Sequence, residues 1–180
     1  MKEIILYHGT TADFSLIDLR HCKDKKDFGK GFYTTTDINQ AKALALRMRE
    51  NSYIRGIPKK AYVYMFKVNK DLLKNLKVHT FRDASIAWID YIITNRCTEF
   101  RNMDDYDVVI GKVADINASA AINKFVNTYS VNAPDKLKMQ LAKILKPDNL
   151  SDQYCFKTDK AIAILNNTRN QSNCFMRKEF

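Results

Sequence analysis

Apolar residues recur along the chain with two different periods, and the switches between them mark out the elements. Glu3 to His8, EIILYH, is an apolar run that stops at Gly9 and predicts a strand. GFYTT, at 31–35, is a short β-branched and aromatic stretch of the same kind. DINQAKALALRMREN then places Ile38, Ala41, Ala45 and Met48 on one side of a helix, with Thr36 or Asp37 as N-cap. KKAYVYMFKV alternates, Tyr62, Tyr64 and Phe66 facing one way, and NLKVHTF reads as its partner strand. ASIAWIDYIITNR predicts a helix capped by Asp83, presenting Ile86, Ile89, Tyr91 and Ile93 around Trp88. YDVVIGKVA (Tyr106 to Ala114) is a central strand, and ASAAINKFVNTY and APDKLKMQLAKIL are helices, the second with Pro134 in its first turn. DQYCFKT (Asp152 to Thr158) is a late strand, DKAIAILNN a last helix, and the polar stretch 168–180 a loose tail. Strands dominate both ends and helices the middle. The class is α+β, not a βαβ series.

Composition narrows this to one domain, 1–167, followed by the tail. Of 180 residues, 46% are hydrophobic, with only five glycines and three prolines, which is globular and leaves no room for a linker. The start, MKEIILYHGT, has too short an apolar run for a secretory signal, and no later stretch is long enough to span a bilayer, so a cytoplasmic protein without membrane contact is expected. Cys22, Cys97, Cys155 and Cys174 form no CxxC pair and read as free thiols; no metal site is expected. The charge of +10 suits polyanionic partners such as nucleic acid, nucleotide phosphate or an acidic protein, and equally suits plain solubility. No basic stripe with interleaved rings stands out.

Three predicted strands carry an unusual group: His8 in YHGT, Tyr33 in GKGFYTT and Gln153 in SDQYCFKT. A lone histidine after an apolar strand is more often a packing group, as His21 and His79 are read here, and DFGKGFY alone is an ordinary loop with core aromatics. In combination and in this order, the trio resembles the ADP-ribosyltransferase superfamily, in its histidine–tyrosine–glutamate branch. HGT and FGKGFY look like the first and second motifs of the poly(ADP-ribose) polymerase type. The whole chain, with YDVVIGKVAD and QYCFKTDKAI, is similar to small bacterial ADP-ribosyltransferase-like toxins, over roughly residues 3 to 166.

The resemblance implies two small sheets around an NAD cleft, with peripheral helices. It implies mono-ADP-ribosylation of a protein or nucleic acid, with NAD as cosubstrate, nicotinamide released, and a small antitoxin as partner. His8 would hold a ribose hydroxyl, and the backbone of Gly9 would read the nicotinamide amide, a missing Cβ permitting close approach. Tyr33 would stack on the nicotinamide, Gln153 would hold the ribose, and Thr10, Phe28, Gly31 and Thr34 would line the cofactor. Gln153 departs from the branch's glutamate: the amide keeps a hydrogen bond but not the charge that faces the developing cation. Ser151 shares its face, and Asp152 points the other way. Asp115, Trp88, Arg96 and the lysines 136, 138, 143 and 146 are weaker candidates, for contact with ligand or partner. Because of Gln153, a non-catalytic NAD or ADP-ribose binding module is the main alternative. An NAD glycohydrolase comes next, and an RNA 2′-phosphotransferase, whose arginine-rich site is not visible, is a third.

Overall fold

The computed structural model describes residues 2–83, 85–96, 104–112, 116–129, 132–145, 151–169 and 175–180. Its strands are β1 (Glu3–Thr10), β2 (Phe32–Thr35), β3 (Tyr62–Asn69), β4 (Val78–Thr80), β5 (Val108–Lys112), β6 (Asp152–Phe156) and β7 (Phe175–Glu179). The helices are α1 (Ile38–Ile54), α2 (Lys70–Leu73), α3 (Ile86–Arg96), α4 (Ile116–Tyr129), α5 (Asp135–Leu145) and α6 (Asp159–Arg169). The strands join in the order β4-β5-β6-β2-β1-β3-β7; β4 and β5 run parallel, and every other pair is antiparallel. This is an α+β architecture.

Period-two patterning sets the two faces of the sheet. Tyr62, Tyr64, Phe66 and Val68 of β3 are buried on one face with Leu6, Phe32, Val108 and Phe156, under Ala161, Ile162 and Leu165 of α6. The opposite face takes the remaining long helices. Ala41 and Ala45 bring α1 down onto Tyr7 and Val63. Ile89, Ile92 and Ile93 of α3, Ile122 of α4 and Leu141 of α5 pack over Val109 and Cys155. Asp37 caps α1, its side chain accepting from Asn39 N.

Several expectations are corrected. Instead of two small sheets there is one ladder, because the four residues of β2 pair along their whole length with β6 and touch β1 at a single register pair, Tyr7↔Thr35. That pair is a seam between two half-sheets. NLKVHTF does not partner β3: β4 pairs with β5, and β3 lies between β1 and β7. The described parts of the tail, 168–169 and 175–180, are not loose either. α6 continues to Arg169, and five residues of β7 pair with β3. Its charged Arg177, Lys178 and Glu179 are exposed, as suits an edge strand. Ser85 rather than Asp83 caps α3, its Oγ accepting from Trp88 N at 3.3 Å. Lys138 is buried and reaches Asp90 of α3 at 2.7 Å, so it is no solvated docking residue. Asp115, Cys97, Cys174 and Lys146 lie outside the described residues. Among those described, no helix is long and apolar enough to cross a membrane.

Candidate functional site

His8 sits near the end of β1, where its Nδ1 lies 2.6 Å from the carbonyl oxygen of Tyr33. A carbonyl only accepts, so Nδ1 carries the proton and Nε2 keeps its lone pair. The ring stacks on Phe32, centroids 4.2 Å apart, with Phe14 edge-on. Burial lowers its pKa from 6.5 to about 4, and the Tyr33 carbonyl only partly offsets that. His8 is therefore a neutral imidazole at pH 7, with Nε2 as acceptor.

Tyr33 opens back onto its own loop. Its hydroxyl accepts from Phe28 N at 2.9 Å and donates to Gly29 O at 2.6 Å. Gly29, at φ +81°, supplies the left-handed turn that this closure needs. Gly31 serves a different end: a Cβ there would stand 2.5 Å from Cys155 Sγ and 2.8 Å from Phe156 O, so its lack of a side chain lets the loop enter the sheet beside β6. Burial of the phenol holds the Tyr33 pKa well above 10. Beneath it, burial pushes the Cys155 thiol up to about 12.

Gln153 is 7% exposed and pairs in register with Thr35 and Gly111. Its Nε2 lies 3.3 Å from Lys112 O and 3.5 Å from Asp27 Oδ2. Asp27 opens the DFGKGFY loop and is in turn held by α3: Arg96 Nε donates to Asp27 Oδ1 at 2.7 Å, Nη2 donates to the same oxygen, and Nη1 reaches Asn123 of α4 at 2.7 Å. Both side chains of this ion pair are 12% exposed.

The expected convergence of three side chains on one groove is not what the register shows. Tyr33, Thr35 and Gln153 share the face covered by α1 and α3, whereas His8, one residue beyond Tyr7, shares the α6 face with Phe32. What joins His8 to the others is the backbone of Tyr33. Gly9 is also recast: a Cβ there would lie 1.8 Å from Ala41 O, so the close approach it permits is that of α1. Thr10 Oγ1 accepts from Ala12 N, and Thr34 Oγ1 donates to Tyr154 O, both local roles. Phe28 is wholly buried in the core under α3. Ser151 Oγ lies 3.5 Å from Asp37 Oδ2, and Asp152 pairs with Lys112 on the outside.

Sequence reasoning gave Asp27 no role and named Arg96 only as a weaker candidate for contact with the ligand. The only available signal was an acid placed directly before Phe-Gly in the second motif. Trp88 is core, as expected, but its Nε1 is buried without a partner among the described residues, 3.4 Å from where a Cβ on Gly111 would stand. An open groove of about 660 Å³ runs along the second half of α1, lined by Arg47, Arg49, Tyr53 and Lys59 among others; none of the motif residues lines it. No group of His, Cys, Asp or Glu able to hold a metal occurs among the described residues.

No curated protein and no solved structure matches the chain. One family does, over residues 4–167, and with nearly the whole fold inside that match the chain belongs to the family described as "Protein of unknown function (DUF3990)".

Proposed function

We propose that the protein is an NAD-dependent mono-ADP-ribosyltransferase acting on a macromolecule. In the reaction, the bond between ribose C1′ and the nicotinamide nitrogen breaks and its electron pair leaves with neutral nicotinamide. An acceptor oxygen or nitrogen then bonds C1′ and gives its proton to solvent. The single observation that carries the reading is the bond from His8 Nδ1–H to the Tyr33 carbonyl, which interlocks the two motifs and leaves Nε2 as a neutral acceptor. Ribose hydroxyls are donors that such an acceptor fits, and Gln153 Oε1 offers a second one across β2. The reading requires the dinucleotide to cross the Tyr7–Thr35 seam, because His8 and Gln153 lie on opposite faces.

The uncharged amide of Gln153 favours a second reading, an NAD or ADP-ribose binding module without turnover. Incubation of the purified chain with adenine-labelled NAD and a cell lysate separates the two. Label on a macromolecule, lost in His8→Ala, is the expected result. Free ADP-ribose alone indicates a glycohydrolase, and bound but intact NAD indicates the module. NAD neither bound nor consumed overturns both readings. A toxin role with an antitoxin partner belongs to the same proposal and rests on sequence resemblance.

A further inference from the structure

The amide of Gln153 is not free to point either way. Its nitrogen lies between two groups that only accept, the Lys112 carbonyl and the Asp27 carboxylate. Turning the amide over would set its oxygen against both, with the repulsion heightened in a site this buried. The nitrogen therefore stays inward, and Oε1 is the terminal atom left over, with no protein partner among the described residues. Oε1 is not among the buried polar atoms left without a partner, so it is the end of this largely buried side chain that can meet a ligand. Asp27 can impose this only because its own carboxylate is fixed: Oδ1 is occupied by Nε and Nη2 of Arg96, which leaves Oδ2 for the amide.

We propose that Asp27, clamped by Arg96, is a positioning residue that orients Gln153 so that Oε1 accepts a hydrogen bond from a ribose hydroxyl. The inference rests on the ADP-ribosyltransferase reading for the identity of that ligand, while the Asp27–Gln153 pairing stands on the geometry. It explains why an amide occupies this position. A glutamate at 153 would face Asp27 with a second negative charge, and two adjoining carboxylates do not both ionise without cost. In this protein the carboxylate stands on the loop and the amide on the strand.

Exchanging the two groups tests this. Asp27→Asn and Gln153→Glu are made singly and together, and each variant is followed by thermal melting and by NAD consumption, with kcat and KM separated. The singles are expected to melt several degrees below the parent and to lose at least tenfold in kcat, Gln153→Glu through carboxylate repulsion. The double variant again has one amide nitrogen facing one carboxylate. The new carboxylate at 153 still meets the Lys112 carbonyl and Arg96 loses its ion pair, so full recovery is not expected. The double variant should melt above Gln153→Glu and regain part of its lost kcat, which two independent structural lesions do not do. A Gln153→Glu variant as stable and active as the parent, or a double variant no better than the sum of the singles, overturns the proposal. If the parent chain leaves NAD untouched, the functional reading fails on its own, and the melting cycle still decides whether the pairing exists.

Discussion

His8 is the candidate-site residue whose protonation couples folding to pH in the acid range. Its folded pKa is about 4 against 6.5 in the open chain, so between those values the unfolded state binds the extra proton. Stability is complete above about pH 6.5 and falls as pH drops toward 4, by on the order of 2–3 kcal/mol. Urea unfolding at pH 4.5 and 7.5 checks this, and His8→Gln should flatten the difference. Gly9→Ala is a second expectation at this scale. Its methyl would meet the Ala41 carbonyl, α1 must shift, and at least about 2 kcal/mol should be lost in the same assay. Cys155, with its thiol pKa near 12 and no exposure, should resist thiol reagents until the chain unfolds.

Among the elements, the loop from Asp27 to Gly31 depends on a helix from another part of the chain. Arg96 holds its first residue, Asn95 packs against Gly29, and Tyr33 closes it from behind. Arg96→Ala leaves the Asp27 carboxylate buried beside an amide, a loss of about 3 kcal/mol or more, whereas Arg96→Ala combined with Asp27→Asn should recover part of it. Urea midpoints of both variants measure the difference. Little of this clamp was legible in sequence: 69 positions separate Asp27 from Arg96, and no periodicity links a loop acid to a helix-end base. The elements with a strong local rhythm were legible. β1, β3 and α1 sit where apolar alternation or helical spacing places them, within a few residues. β4 has three residues, too few to show a period, so its parallel partner could not be read from the pattern. β7 reads Phe-Met-Arg-Lys-Glu, with no apolar–polar alternation, and is defined by β3, more than a hundred positions earlier. The candidate site divides in the same way: its residue types showed in two short motifs, but which face each side chain takes was decided by one register pair.

At the scale of the whole molecule, an excess of ten positive charges acts on any polyanion that approaches. Retention on a heparin column should fall steeply with salt, and reversing Arg47 and Lys59 in the α1 groove should weaken it more than reversing Lys136 and Lys143 on α5. Equal losses from the two sets would show a diffuse field without a preferred track.

The lone tryptophan gives the molecule a built-in optical gauge. Trp88 sits sealed beside the glycine that pairs with Gln153, so its emission should be blue-shifted in the native protein and move to longer wavelength when the core opens. Occupancy next to Gln153 should change the intensity of that emission without shifting its colour, and titrations can then be followed in the unlabelled, unmodified chain.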